Sequence, residues 1–437
     1  MKAIIMAGGK GERVAAIAAG LPKPMIEICG KPVLAHQIDC LVKNGIKDIT
    51  IVVGHLGRAI KDYFGDGSAF GCNISYFCED EPLGTAGALY ELADLPEDFI
   101  LLNGDLVLDM DFPRMIAFHR EKKAWATLAV HPNDHPFDSE LIEADGEGRV
   151  ARWIGKEDER TIYNNIVNAG VHILSSELLR QSPRTKRKVS LDGDILKPMI
   201  SSGKIFAYRT SEYIKDMGAP DRFERARVDM ENGIPAARNL ARAQKAVFLD
   251  RDGTINRMRD YITSPEDFEL LDGAARAIKI INGLGFLAIV VTNQPAIARG
   301  EMTFDTLNLI HKKMETELGK EGAFLDDVFF CPHHPDKGFP GERPEYKIDC
   351  DCRKPKPAMI LRAAEKYNVS LADSYMVGDH ARDARAGINA GCAPVFLTGG
   401  GELPECICNC EGSKPLEMRA SLLDFANNLA RKLECKR

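Results

Sequence analysis

Short apolar runs alternate along this chain with longer stretches in which apolar positions return every third or fourth residue. Runs closed by polar or glycine-rich turns predict buried, mostly parallel strands, and the periodic stretches predict helices laid against them. In the first half this places strands at 2–6, 49–53, 99–102, 126–130 and 170–174. A helix at 32–44 starts on Pro32, and another at 219–230 stops at Asn232-Gly233 with Pro235 just beyond. The alternation resumes at Ala246, with strands at 246–249, 287–292, 327–331, 375–377 and 394–397. Helices are expected at 272–284, 303–318, 357–367 and 381–389, and a last one at 416–433. The pattern is that of an α/β protein with two domains, 1–238 and 245–437. Between them, 236–244 is rich in Ala and Arg rather than Gly and Ser, which favours a short helical link over a flexible tether.

Composition narrows the class. With 437 residues, 45% hydrophobic and 28% charged, each half can bury a globular core of its own. A net charge of −7 and a pI near 5.9 argue against nucleic acid or an anionic membrane as the main partner. Small-molecule substrates are expected instead, with a homo-oligomer left open. The opening MKAIIMAGG is too short an apolar run for a secretory signal, and no run reaches membrane-spanning length, so a cytoplasmic protein is expected. In that compartment the twelve Cys, four before residue 80 and eight after residue 330, are expected as thiols or metal ligands rather than disulfides.

Candidate chemistry concentrates first at 247–256, VFLDRDGTIN. An apolar run ending on Asp250 and Asp252 predicts a strand that presents two carboxylates at its carboxyl end, where open α/β sheets hold ligands. Carboxylates two residues apart suit phosphoryl transfer, with a nucleophile, a general acid and base, and a bound Mg²⁺. An acidic turn after an ordinary strand is the plain alternative. Later residues favour the chemistry. Thr292 and Asn293 follow the next strand with a hydroxyl and an amide for phosphate oxygens. Lys354, in RKPKP before a helix, offers a cation to the same phosphate. Asp379 ends another strand, and Asp383 lies one helical turn beyond it.

In this order the motifs resemble the haloacid-dehalogenase phosphatases. The resemblance implies a Rossmannoid domain in which Asp250 forms an aspartyl-phosphate and Asp252 protonates the leaving oxygen, then activates water. It also implies Mg²⁺ held by Asp250, Asp379 and the backbone carbonyl of Asp252, with Thr292 and Lys354 stabilising the transferred group.

The stretch CPHHPDKGFPGERPEYKIDCDCRKPKP carries two close pairs, Cys331-x-His333 and Cys350-x-Cys352. Three thiolates and an imidazole make a closed tetrahedral Zn²⁺ site. The intervening loop, rich in Pro, Gly and charge, cannot build a core, so a structural metal would supply its order; buried free thiols are the alternative. His334 is expected to stand by, since four ligands are already present. A zinc loop inside a phosphatase of this kind resembles the D-glycero-D-manno-heptose 1,7-bisphosphate 7-phosphatases, which have no large cap. On that resemblance Arg353 contacts the distal phosphate or sugar, and Tyr261, Asn293 and Gln294 line the substrate pocket. Histidinol-phosphate phosphatases share the loop and are the main competing assignment. Cys406, Cys408 and Cys410, with Ile407 among them, are expected as an edge strand rather than a metal site.

The first half has its own loops. Gly8, Gly9 and Gly11 follow the first strand and let backbone N–H groups approach phosphates. Leu21-Pro22-Lys23-Pro24 presents one lysine on a stiff turn, Pro82-Leu83-Gly84-Thr85-Ala86-Gly87 is a second small-residue loop, and Asp105 follows Asn103-Gly104. Together these resemble the nucleotidyltransferases that join sugar 1-phosphates to nucleoside triphosphates, with a Rossmann-like (GT-A-like) sheet. The resemblance implies that Gly8, Gly9, Gly11 and Arg13 hold the triphosphate and Lys23 the departing pyrophosphate. Gly84 faces the base, Asp105 and Asp216 share Mg²⁺, and Lys156, Asn168 and Gly170 meet the sugar phosphate. Glu12 stands where Thr is more usual. The basic run 184–188 is expected as a solvated loop.

Two unlike sites on one chain suggest consecutive steps: removal of the 7-phosphate of heptose 1,7-bisphosphate, then nucleotidyl transfer from GTP to heptose 1-phosphate. The alternatives are a transferase for another sugar joined to a histidinol-phosphate-like phosphatase, and a first half that binds without catalysing.

Overall fold

Lys2–Ala7 and Ala246–Leu249 are inner strands of two separate sheets in a computed structural model that describes residues 1–9, 20–54, 56–400 and 415–435. Both are apolar throughout their middles and buried on both faces, as parallel strands between helical layers must be.

The first sheet has nine strands. Its main path runs Val150–Ile154, Leu141–Ala144, Val167–Ser175, Asp98–Asn103, Lys2–Ala7, Asp48–Val53, Asn73–Cys78, and Ala126–His131 and Ile205–Arg209 extend from Val167–Ser175. Lys2–Ala7 pairs in parallel with both neighbours, so Ala7, Val53 and Asn103 end on one edge. Val167–Ser175 runs antiparallel to Asp98–Asn103 and to Ala126–His131, which makes the sheet mixed rather than wholly parallel. Its pairing with Ala126–His131 changes register between Asn168 and His172, a bulge at which Gly170 takes φ +74°. A small antiparallel pair, Leu106–Asp109 with Tyr213–Asp216, sits beside this sheet.

The second sheet has six strands, all parallel, in the order Asp327–Cys331, Leu287–Asn293, Ala246–Leu249, Tyr375–Gly378, Ala393–Leu397, Glu417–Arg419. The last departs from the helix expected at 416–433. Ser421 caps the helix Leu422–Glu434 by accepting from the N–H of Asp424, and the residues ahead of the cap stay extended and pair with Val395–Leu397. Between the first strand's loop and the helix Ala274–Gly283 there is one single-turn helix, Pro265–Asp267, and no inserted domain.

The chain divides into two compact units, and not by a single cut. One comprises Met1–His131, Ile142–Ile154 and Val167–Ala241; the other comprises Pro132–Leu141, Gly155–Ile166 and Arg242–Arg437. Among the described residues no helix is long and apolar enough to cross a membrane.

Candidate active sites

In the second unit, three neighbouring strands deliver side chains to one edge. Asp250 directly follows Ala246–Leu249, and its N–H donates to the carbonyl of Val377 on the adjacent strand at 2.9 Å. Thr292 and Asn293 end the strand on the other side, and Gly378 leads into Asp379. The loop after Asp250 needs glycine at 253, where φ is +79° and an added Cβ would fall 1.9 Å from an Asp379 oxygen. That close approach lets Asp379 lie against the backbone of the Asp250 loop.

Lys354 is buried between two acids, its Nζ 2.8 Å from Asp250 Oδ1 and 2.7 Å from Asp383 Oδ1. Burial alone would lower the lysine's pKa, and the two carboxylates outweigh it and raise it. Burial and the neighbouring Asp383 push Asp250 up to about 6 against the pull of Lys354, and burial with Asp250 pushes Asp379 to about 6. Carboxylate oxygens of Asp250, Asp379 and Asp383 lie within 4.8 Å of one another. Asp379 Oδ1 is buried without a hydrogen-bond partner among the described residues. Three crowded acids, one lysine and an orphaned oxygen fit a divalent cation with oxygen ligands. Asp383, which the sequence marks only by its place one turn past Asp379, belongs to this group. Its other oxygen accepts from the N–H of His380 and fixes the start of the helix Ala381–Ala390.

The carboxylate of Asp252 points elsewhere. It accepts from Arg251 Nη2 at 2.9 Å, Asn256 Nδ2 at 3.0 Å and Gln294 Nε2 at 2.9 Å. Burial pushes its pKa up, and Arg251 with these hydrogen bonds outweighs that and holds it below the usual range. Gln294 also donates to Thr292 Oγ1 and accepts from Arg251, so its amide is wholly engaged. Asn293 spends its amide on the backbone of Lys354, accepting from the N–H at 3.0 Å and donating to the carbonyl at 3.1 Å. Arg251, fully buried, was not marked as functional by the sequence; a buried arginine between two reactive acids was the available signal.

Cys331, His333, Cys350 and Cys352 converge. Five of the separations among their Sγ and Nδ1 atoms run from 3.2 to 3.7 Å. A tetrahedral Zn–S site with bonds of about 2.3 Å has edges of about 3.8 Å, so the cluster is of the right size to close on zinc. His334 lies outside it, its Nδ1 accepting from the N–H of Asp336. Arg353 donates to the carbonyl of His333 at 3.2 Å, and Tyr261 is exposed with the Arg299 guanidinium 4.7 Å from its ring centre.

In the first unit, the edge defined by Ala7, Val53 and Asn103 carries the predicted loops. An added Cβ at Gly8 would meet Glu79 at 2.4 Å, and Gly9 is open. Gly84, at φ +86°, lies against the backbone of Val189, and the carbonyl of Leu83 accepts from the Val189 N–H. Lys23 pairs with Asp105. Gln37, buried on the helix Val33–Lys43, donates to the carbonyls of Asn103 and Leu106 and braces the turn that carries Asp105. Asp105 and Asp216 are backbone neighbours: Asp216 pairs with Leu106, and Met217 donates to the carbonyl of Asp105. Among the described residues the two carboxylates are not part of a cluster of three or more His, Cys, Asp or Glu ligands. Asp216 instead faces Arg222, 2.7 Å away in the first turn of the helix Pro220–Glu231, a cation the sequence reading did not single out.

Asn168 accepts from the Gly170 N–H at 3.3 Å and lies 3.1 Å from His172 Nε2, holding the bulge together. Lys156 is exposed on Gly155–Ile166, the stretch that belongs to the second unit. The basic run 184–188 is paired rather than bare, through Arg184 to Glu91, Lys186 to Asp194 and Arg187 to Glu81. Gly11, Arg13 and Glu12 lie outside the described residues, as do Cys406, Cys408 and Cys410.

The nucleotidyl transferase family model matches residues 2–233, and a HAD-hydrolase-like model matches residues 351–410. The D-glycero-beta-D-manno-heptose-1,7-bisphosphate 7-phosphatase of Escherichia coli (strain K12) is 39% identical over 168 residues, 38% of this chain and 86% of that protein. The mannose-1-phosphate guanylyltransferase catalytic subunit beta of Danio rerio is 32% identical over 229 residues, 51% of this chain and 62% of that protein. The solved D,D-heptose 1,7-bisphosphate phosphatase from B. bronchiseptica, complexed with magnesium and phosphate, is 34% identical. It covers 43% of this chain and 99% of its own, with a TM-score of 0.37.

Proposed function

Because the chain belongs to the nucleotidyl transferase family through residues 2–233 and, in its second half, to the HAD-like hydrolases that include heptose-bisphosphate phosphatases, we propose that it makes a nucleotide-activated heptose in two steps. It removes the 7-phosphate of D-glycero-D-manno-heptose 1,7-bisphosphate, then joins the heptose 1-phosphate to GMP from GTP, releasing pyrophosphate. One observation carries the phosphatase reading. Cys352 and Lys354 are two residues apart, so the loop that closes the thiol–imidazole cluster also delivers the lysine onto Asp250.

Asp250 attacks phosphorus as the bond from phosphorus to the sugar oxygen breaks, and Asp252 gives that oxygen a proton. Water then attacks the aspartyl-phosphate and returns a proton to Asp252. Arg251 holds Asp252 ionised in the free protein, so the first proton enters with the phosphate monoester. Lys354 and Thr292 face the charge on the transferred group. Asp250, Asp379 and Asp383 would hold Mg²⁺, which supplies charge neutralisation on the phosphate oxygens.

In the first unit the sugar phosphate oxygen attacks the α-phosphorus and pyrophosphate leaves in line, a reaction that needs placement and charge rather than a covalent intermediate. Lys23, which pairs with Asp105, would meet the charge of the departing pyrophosphate, and Asp105 and Asp216 would hold Mg²⁺. Guanylyl transfer is favoured by the similarity to the mannose-1-phosphate guanylyltransferase subunit, which spans 62% of that protein. The full chain supplied with heptose 1,7-bisphosphate and each of the four common triphosphates in turn is expected to yield GDP-heptose, identified by mass. A nucleotide sugar formed only with another base overturns the choice of GTP, and the absence of any overturns the pathway.

A further inference from the structure

Gln294 ties Arg251, Asp252 and Thr292 together, and the direction of its hydrogen bonds is fixed from one end. Arg251 is fully buried, and an arginine side chain offers hydrogens only. Its Nη2, which donates to both oxygens of Asp252 at 2.9 Å, also donates to Gln294 Oε1 at 3.1 Å. The reverse amide would set an NH₂ group against a cation and an oxygen against a carboxylate, so the oxygen must face Arg251. Both amide hydrogens then point the other way, one to Asp252 Oδ2 at 2.9 Å and one to Thr292 Oγ1 at 2.9 Å. The amide has no hydrogen left to give a substrate.

A threonine hydroxyl carries one hydrogen and two lone pairs. At Thr292 a lone pair is taken by Gln294, so the hydroxyl hydrogen is directed away from the amide. Thr292 is 1% exposed, and among the described residues nothing accepts that hydrogen. A buried donor without an acceptor is costly unless a ligand supplies one. Leu249 pairs with Val290 in parallel, so Asp250 and Thr292 lie just past that rung on neighbouring strands. A phosphoryl group brought to Asp250 carries anionic oxygens of the kind this hydroxyl lacks. We propose that Gln294 is a positioning residue for the phosphatase reaction, presetting the Thr292 hydroxyl as a donor to the phosphoryl group. Without the amide the hydroxyl is free to rotate, and part of the phosphate contact is lost to orienting it. This rests on the reading that Asp250 and Thr292 meet a phosphate.

The test measures inorganic phosphate binding to the full chain in Mg²⁺ buffer by phosphorus NMR titration. The variants are Gln294→Met, Thr292→Val and Thr292→Ser, with Gln294→Met also combined with each of the other two. Binding is read rather than turnover because the same amide also holds Asp252, whose part is proton transfer. Gln294→Met is expected to weaken phosphate about tenfold, as loss of an oriented hydrogen bond to a charged group does. The same loss is expected beside Thr292→Ser, which keeps a hydroxyl, and no further loss beside Thr292→Val, which has none. Wild-type affinity in Gln294→Met or in Thr292→Val overturns the proposal, and so does a Gln294→Met loss that persists beside Thr292→Val. Should Gln294→Met fail to fold, Thr292→Val is compared with Thr292→Ser, and equal affinities overturn the donor role. A wild-type chain that binds phosphate but leaves heptose 1,7-bisphosphate intact overturns the pathway and not this role; one that binds no phosphate overturns both.

Discussion

Asp250 sits where a carboxylate is least comfortable, buried and beside two other acids, with one lysine to offset them. That position suits a nucleophile that is freed by a phosphate and a cation. Asp250→Asn keeps the shape and removes the attacking oxygen, so phosphate release should fall on the order of a thousandfold or more while the circular dichroism spectrum is unchanged. Residual activity near that of wild type would assign the nucleophile elsewhere. A second residue gives a pH prediction. Glu212 is pushed up from 4.5 to about 7 by burial, against hydrogen bonds from Leu240, Asp111 and Thr210. The folded chain therefore keeps a proton between those values that the unfolded chain has released, and stability falls as pH rises through that window. Glu212→Gln retains an acceptor for both N–H groups and a donor for Thr210, so it should flatten the slope. Thermal midpoints of both proteins at about pH 5 and about pH 7.5 check this; parallel curves would refute it. At this scale the sequence was informative where chemistry demands a residue type at a strand end, as at Asp250, Thr292 and Asp379. It was silent about Arg251 and about Asn293, because a side chain's choice between substrate and a neighbouring backbone is made by tertiary packing.

The loop that carries the thiol–imidazole cluster also carries Lys354, two residues beyond Cys352. Removing one ligand should loosen the segment from Cys331 to Lys354 and withdraw the lysine from Asp250. Cys350→Ser takes one thiolate from a four-ligand set and is expected to lower zinc affinity, and phosphatase turnover with it. Nucleotidyl transfer should continue, and elemental analysis with both assays on one preparation decides the point. Full phosphatase activity without zinc would separate the loop from catalysis. The pairs Cys331-x-His333 and Cys350-x-Cys352 were legible because ligand spacing is a local property. The strand Glu417–Arg419 was not, because its partner is Ala393–Leu397 and nothing within the three residues distinguishes an edge strand from the first turn of the helix that follows.

Across the whole molecule, the two alternating patterns separated near residue 240 could be read from periodicity, and the two sheets follow them. The stretches Pro132–Leu141 and Gly155–Ile166 could not, since they are polar, lack a period, and find their partners roughly 150 positions later in the chain. A fragment covering 1–241 would leave the N–H groups of Tyr163 and Asn165 without the acceptors on Thr316 and Glu315. The amide hydrogens of Tyr163 and Asn165 should exchange faster in that fragment than in the full chain. Equal exchange rates would show that the two acceptors are dispensable. The five passages of the chain between the units, at 131/132, 141/142, 154/155, 166/167 and 241/242, carry a further consequence. A single protease cut at any one of the five passages leaves at least one unit divided between two polypeptides, so no single cleavage of the chain separates the two units intact.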